Sequence, residues 1–219
     1  MLGFLLYHVN QPGANNRAFV IDTGVMSDVS GNGASCAMVA SAAQDSSMKM
    51  DGKPSTKIAT GASKLRITLP KNWNTLFSSG NWTVEWSAYN SEGTVSDVYA
   101  TDIQVSGNVL DIGVSTITTL TGLLANQCIG TNLGGTKVSF WRLPVTKTAA
   151  YKKLIRYCMQ MQDGQLIFYM DGQKQTVSTI ALTVATTPGT PMSGAAVYYG
   201  NVRVSNFARY KANYTPIPF

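Results

Sequence analysis

The chain has 219 residues, of which 44% are hydrophobic, 10% are aromatic and only 13% are charged. This composition, with abundant glycine, serine, threonine and asparagine, is typical of a β protein with many turns, and it excludes an intrinsically disordered chain. The net charge is +6. Because the basic residues do not form the long runs that nucleic-acid binders usually carry, the sequence predicts no specific nucleic-acid partner.

The N-terminal segment and the cysteines indicate the compartment. The apolar stretch Met1–Tyr7 is shorter than the hydrophobic region of a secretory signal and lacks a basic flank. No apolar run approaches the ~20 residues of a membrane-spanning helix, so we predict no membrane partner. Three cysteines cannot all pair within one chain, and with the single histidine His8 they offer no zinc pattern. We therefore expect a reducing cytoplasm, a buried apolar role for Cys158, no metal and no cofactor.

Strand patterns recur along the chain, and no long stretch shows a helical period. In the clearest of them, Trp82–Tyr89, apolar side chains alternate with mostly polar ones, as expected of a strand with one buried face. The segments Val98–Val105 and Val109–Val114 flank a Ser-Gly-Asn turn and predict a hairpin. Val138–Leu143 predicts a further strand, which a proline ends.

Two Asp-Gly dipeptides predict a meander in the second half of the chain. Asp163-Gly164 separates the apolar segments Leu154–Met161 and Gln165–Met170, and Asp171-Gly172 ends the second of them. Both residues tolerate the left-handed conformations that tight hairpins require. Because Gln165–Met170 is apolar on both faces, we expect it within a sheet and covered by a second layer.

The C-terminal residues predict a strand followed by a docking tail. Val202–Ser205 alternates between apolar and polar side chains, and the residues after it include four aromatic side chains and two prolines. A frayed terminus would not require this composition. Since the chain shows neither a linker nor an internal repeat, residues 1–219 are predicted to form a single domain.

Five short motifs occur in an order that resembles one protein family. They are Leu5–Asn10 with Asp28–Ala34, Met50–Gly52 with Leu65–Ile67, Ser79–Trp86, Leu166–Gly172, and Val202–Tyr210 with Tyr214–Pro216. The chain is similar over nearly its whole length to the laminin-G-like branch of the concanavalin A-like lectin/glucanase superfamily. The closing motif is of the bacteriophage and bacterial type.

The resemblance implies an all-β fold, a two-sheet antiparallel jelly-roll sandwich of the concanavalin A-like kind, in which the first and last strands pair. Leu5–Val9 would then lie beside Val202–Tyr210, with the tail tyrosines sealing the edge of the sandwich. The family often carries acidic residues at positions that correspond to Asn10 and Asn201. Because both residues are neutral here, no calcium site is expected.

The superfamily includes glucanases, so catalysis has to be considered. Such enzymes need two carboxylates facing each other across a sugar-binding cleft. The chain has only two glutamates, Glu85 and Glu92, and neither has an acidic partner at the required spacing. A Ser-His-Asp triad would depend on His8, which lies in the predicted opening strand. We therefore predict no enzymatic activity and no catalytic residue.

A chain without catalytic residues acts through its surfaces, and two hypotheses remain. The first is a bacteriophage virion protein, a capsid decoration or tail-associated module assembled in the host cytoplasm in multiple copies with other virion proteins. Its predicted contact residues are basic: Lys152, Lys153, Arg156, Arg203, Arg209 and Lys211. The alternative is a lectin-like module whose aromatic residues stack on the glycan of a receptor: Trp73, Tyr89 and Tyr198. Solvated charge explains the basic residues equally well, and ordinary sandwich packing is the favoured explanation of the aromatic ones.

Overall fold

The computed structural model of the chain describes residues 17–59, 62–77, 80–91, 98–117, 128–133, 139–142, 152–176, 178–180 and 196–219. Within these ranges lie sixteen strands and one 3₁₀ helix, Lys71–Trp73. The strands are β1 (Ala18–Asp22), β2 (Ser27–Asp28), β3 (Ser35–Val39), β4 (Ala43–Met50), β5 (Lys53–Ile58), β6 (Lys64–Thr68), β7 (Trp82–Asn90), β8 (Val98–Ser106), β9 (Val109–Ile117), β10 (Cys128–Leu133), β11 (Ser139–Arg142), β12 (Leu154–Gln162), β13 (Gln165–Met170), β14 (Gln173–Gln175), β15 (Ser178–Ile180) and β16 (Val197–Ser205).

Backbone pairing joins these strands into one network. One half follows the order β14-β13-β12-β7-β16-β1, and the other follows β2-β3-β6-β9-β8-β10-β11-β15. β5 pairs with both β16 and β4. Among the described strands every pair is antiparallel except β8 with β10. The prediction of an all-β, largely antiparallel fold is confirmed.

The two halves of the network share one buried core. Trp82 and Trp86 of β7 belong to the same apolar cluster as Leu65 of β6 and Leu110 of β9. A hydrogen bond also joins the halves, since the Tyr199 hydroxyl donates to a carbonyl oxygen of β9 at 2.8 Å. Burial of these side chains on both halves supplies the main driving force for their packing.

The local turn predictions are confirmed. β8 and β9 form the predicted hairpin, and β12, β13 and β14 form the predicted meander. In its two turns Asp163, Gly164, Asp171 and Gly172 all have positive φ, between 47° and 78°. Asp-Gly supplies these left-handed conformations at low cost, which is why the turns could be placed from the sequence.

The predicted strand at Trp82–Tyr89 is β7, but the prediction that only one of its faces is buried was wrong. Trp82, Val84 and Trp86 face the core as expected. On the other face, here called the outer face, Thr83 and Glu85 are also buried, at 0% and 4% exposure. Alternation in the sequence correctly assigns side chains to faces, but it does not reveal what covers the polar one.

The first described strand pairs with the last one. β1 runs antiparallel to β16. Ala18 pairs with Ser205 at one end of the ladder, and Ile21 pairs with Val202 at the other. The segment Leu5–Val9, for which this pairing was predicted, lies outside the described residues, as do His8, Asn10 and Glu92. Of the predicted strand Val138–Leu143, the described part is β11.

Candidate functional site

The outer face is covered by residues 206–219, here called the C-terminal tail. The Thr83 hydroxyl donates to the Phe207 carbonyl oxygen at 2.8 Å. Gln160 of β12 donates to the Tyr210 carbonyl oxygen at 2.7 Å and accepts from the Tyr210 N–H at 2.9 Å. The tail therefore docks on its own chain, as predicted. It does so on a sheet face, and no strand forms within residues 206–219.

Aromatic rings hold the middle of the tail in place. The rings of Tyr210 and Tyr214 stack in parallel with centroids 3.5 Å apart, and Tyr169 of β13 meets both rings edge-on. Beneath them Cys158 is fully buried, as predicted. Burial, together with the neighbouring charge of Glu85, raises the pKa of the Cys158 thiol well above its usual value. The tail tyrosines thus seal a sheet face and not a sandwich edge.

A buried charged cluster lies under the tail. Arg203 of β16 donates to both carboxylate oxygens of Glu85, at 2.6 and 2.7 Å. The Tyr210 hydroxyl donates to Glu85 Oε1 at 2.5 Å, and Arg209 Nε lies 3.3 Å from Oε2. Both oxygens of this carboxylate are therefore engaged by side chains of the chain itself. Glu85 is a structural residue that fixes the tail.

Asn201 has a similar structural role. Its side-chain oxygen accepts from the Thr23 N–H at 3.1 Å, and its side-chain amide donates to the Phe219 carbonyl oxygen. The Arg203 guanidinium lies 4.3 Å from the centre of the Phe219 ring, a cation–π distance. An asparagine suits this position because it both donates and accepts.

The predicted basic contact residues do not form one surface. Arg203 is only 7% exposed and paired with Glu85, so its prediction as a surface contact was wrong. Arg209 is half-buried beside the same carboxylate, and Arg156 pairs with Asp51. The exposed members of the set are Lys152, Lys153 and Lys211.

Trp73 lines a surface cavity of about 480 Å³. The cavity lies where the 3₁₀ helix and its following turn meet the segment before β7 and the residue after β16. Its lining is mostly polar: Arg17, Asn72, Trp73, Thr75, Leu76, Gly80, Asn81 and Asn206. A volume in the usual range of ligand pockets, roughly 300–1,000 Å³, and an indole among amides and a hydroxyl make this a candidate binding site among the described residues.

The walls of the cavity are fixed by the fold. The indole of Trp73 packs edge-on against the buried ring of Phe19, with centroids 4.7 Å apart. Asn206 accepts from the Arg17 N–H at 2.8 Å and donates its own N–H to the Arg17 carbonyl oxygen at 3.2 Å. Asn81 accepts from the Asp163 N–H at 2.8 Å. The site is thus held in shape before any ligand binds.

The other two predicted stacking residues lie elsewhere. Tyr89 and Tyr198 are register partners on β7 and β16, and their half-buried rings meet edge-on with centroids 6.2 Å apart. The Lys57 ammonium lies 5.9 Å from the centre of the Tyr198 ring. Tyr198 and Asn206 are separated by roughly 25 Å along β16, at ~3.3 Å per residue. Trp73 and the tyrosine pair therefore cannot stack on one sugar ring.

Trp73 can be recognised from the sequence as a candidate stacking residue, but the other residues that line the cavity cannot. Arg17, Asn81 and Asn206 come from three distant parts of the chain, and the pairing of both β1 and β7 with β16 brings them together. The one available local signal was Lys71-Asn72-Trp73-Asn74, which places amides on both sides of an indole.

Metal ligands and membrane-spanning helices are both absent from the described part of the chain. No group of three or more His, Cys, Asp or Glu side chains there could hold a metal ion. None of the helices within the same ranges is both long enough and apolar enough to cross a membrane.

Comparison with known proteins shows similarity in structure only. No protein-family model and no curated protein sequence matches the chain. The binding domain of botulinum neurotoxin serotype D/C superposes on 88% of the chain with a TM-score of 0.55 at 10% sequence identity. A structure of botulinum neurotoxin type C, whose cell entry depends on interaction with two ganglioside molecules, covers 84% with a TM-score of 0.52 at 10% identity. The serotype G binding domain covers 88% with a TM-score of 0.50 at 10% identity.

At this identity the similarity establishes an all-β fold shared with these proteins. The structures named are from binding domains or describe receptor interaction, not catalytic domains. The chain spans about half the length of each of them, with coverage of 49%, 45% and 48%.

Proposed function

We propose that this chain is a glycan-binding module of the laminin-G-like, two-sheet jelly-roll type, and that its sugar lies in the Trp73 cavity. The observation that carries the proposal is one indole placed among the amides of Asn72 and Asn81 and the hydroxyl of Thr75. A sugar ring has apolar C–H faces and a rim of hydroxyl groups. It therefore needs an aromatic surface together with side chains that can both donate and accept hydrogen bonds.

Two observations support this function over catalysis. Glu85, one of the two glutamates considered for carboxylate chemistry, is 4% exposed and is engaged by Arg203 and Tyr210. The structural relatives are binding domains, and one of them belongs to a toxin that interacts with gangliosides. A shared fold supports a shared function only as an analogy, so the proposal rests on the cavity.

Glycan-array screening followed by titration calorimetry of the best ligand tests the proposal. Trp73→Ala should weaken binding roughly tenfold, the equivalent of about 1.4 kcal/mol, because the stacking surface is lost. Asn72→Ala removes an exposed amide from the lining and should weaken binding about two- to tenfold through a lost hydrogen bond. Because Asn72 is exposed, its variant should keep the wild-type Tm.

The matched control is Tyr198→Ala, which removes a predicted stacking ring at the other end of β16. This variant should bind the sugar as the wild type does. An array on which no sugar binds would refute the function. Loss of the ligand in Tyr198→Ala, with retention in Trp73→Ala, would instead place the site at the tyrosine pair.

A second candidate is attachment to a virion, as a capsid decoration or tail-associated protein present in several copies. The observation that favours it is a set of large apolar side chains exposed in β3 and in the turns before and after β2. Val25, Val29 and Met38 are 64%, 54% and 38% exposed. Exposed apolar groups that lie close together in a fold are typical of protein contact surfaces.

A further inference from the structure

Arg17 gives the Trp73 cavity a positive charge. It is exposed, and among the described residues that line the cavity it is the one that carries a charge. Within the described part of the chain no carboxylate forms an ion pair with its guanidinium. The cavity therefore offers an anion a charged partner that no carboxylate of the described residues occupies.

The position of Arg17 is set by its backbone. It precedes β1, and its N–H and carbonyl oxygen are both engaged by Asn206, at 2.8 and 3.2 Å. Arg17 and Asn206 thus extend by one residue the pairing of β1 with β16, whose last partners are Ala18 and Ser205. The main chain is thus anchored at the cavity, and only the side chain has to order when a ligand binds.

One described carboxylate contacts the lining residue Asn81. Asp163 donates its N–H to the Asn81 side-chain oxygen at 2.8 Å, and its carboxylate accepts from the Asn81 amide at 3.3 Å. This arrangement makes the Asn81 wall unfavourable for a second negative charge. A ligand with one carboxylate would therefore have a preferred orientation, with that group toward Arg17.

We propose that the cavity selects an acidic sugar, with a ring face against Trp73 and its carboxylate against the Arg17 guanidinium. This inference rests on the proposed glycan-binding function. Guanidinium is suited to the task because its planar, parallel N–H groups match the two oxygens of a carboxylate. A neutral sugar would use the same stacking surface without this pair.

The test compares oligomers of glucuronic, galacturonic and sialic acid with the carboxyl-reduced form of each. The members of a pair differ only in the charged group, so their affinity ratio measures its contribution. In the wild type the acidic form should bind roughly tenfold more tightly, and the ratio should fall with added salt because the site is exposed. Arg17→Gln should bring the ratio close to one, because the acidic form loses its charged partner.

Lys153→Gln is the charge-matched control. Lys153 is exposed and precedes β12, at the end of that strand away from Asp163 and the cavity. This variant removes the same unit charge and should keep the wild-type ratio.

Equal affinity for acidic and reduced sugars in the wild type would overturn the acidic-sugar inference and leave the glycan-binding function intact. A preference for acids that persists in Arg17→Gln would overturn it as well. Failure of every sugar to bind would refute the function and the inference together.

Discussion

At the residue scale, one carboxylate organises the loop that follows β2. Asp28 accepts from the N–H groups of Val20, Ser30 and Ala34, at 3.2, 2.9 and 3.1 Å, and from the Ser30 hydroxyl at 2.5 Å. The turn motif seen in the sequence at Asp28–Ala34 is therefore an Asx-type turn that ties this loop to β1. Burial opposes ionisation here, but the hydrogen bonds prevail and lower the pKa of Asp28 below its usual value.

Asp28→Asn should reduce the free energy of unfolding by about 1–3 kcal/mol near neutral pH, since charge-assisted bonds become weaker or are lost. Because the folded pKa is lowered, the carboxylate stabilises the fold above the unfolded pKa near 3.9. That contribution disappears as the pH falls through the folded value. Denaturant unfolding at several pH values should therefore show the wild type and the variant converging in acid. A difference that stays constant down to strongly acidic pH would contradict this account.

At the element scale, the strands and turns were predictable where the signal is local. The two Asp-Gly turns specify the meander because their dihedral angles are a property of the dipeptide. Burial of Thr83 and Glu85 was not predictable, because the tail that covers β7 comes from a distant part of the sequence. The cavity likewise depends on residues that are distant in the sequence. Trp73 is recognisable as an aromatic candidate, but Arg17 and Asn206 come to the cavity only through strand pairing.

The contact between the tail and the second Asp-Gly turn gives a sharp test of tail docking. The Tyr214 N–H donates to the Gly172 carbonyl oxygen at 2.9 Å, and a Cβ on Gly172 would overlap the Tyr214 carbonyl oxygen. Gly172→Ala should therefore lower the Tm and, by releasing the tail backbone, speed trypsin cleavage after the exposed Lys211. The control is Gly164→Ala, which has nearly the same φ, +78° against +76°, but no atom within 4 Å of its new Cβ.

Backbone strain alone, of order 1 kcal/mol, is common to both variants. Any further loss of stability in Gly172→Ala, compared with Gly164→Ala, is therefore caused by displacement of the tail. Equal Tm values and equal trypsin resistance for the two variants would show that the tail does not stabilise the fold.

At the scale of the whole molecule, the surfaces divide into sealed and open regions. The tail seals the outer face along β7, β12 and β13, so the buried charges beneath it are unavailable to a partner. The Trp73 cavity and the apolar side chains Val25 and Val29 remain open. A binding module on a larger assembly needs two such regions, one for attachment and one for the ligand.

If the chain is a virion component, it should co-sediment with particles purified from its source at a constant ratio. Val25→Ser combined with Val29→Ser should reduce that ratio, because apolar contact area is lost, and should leave sugar binding at Trp73 unchanged. Ile217→Ser is the control, since Ile217 is 62% exposed but lies in the tail. High salt should slow attachment, because the net charge of +6 contributes to the association rate more than to affinity. Absence of the chain from particles, or attachment lost equally in the control, would leave glycan binding as the sole candidate function.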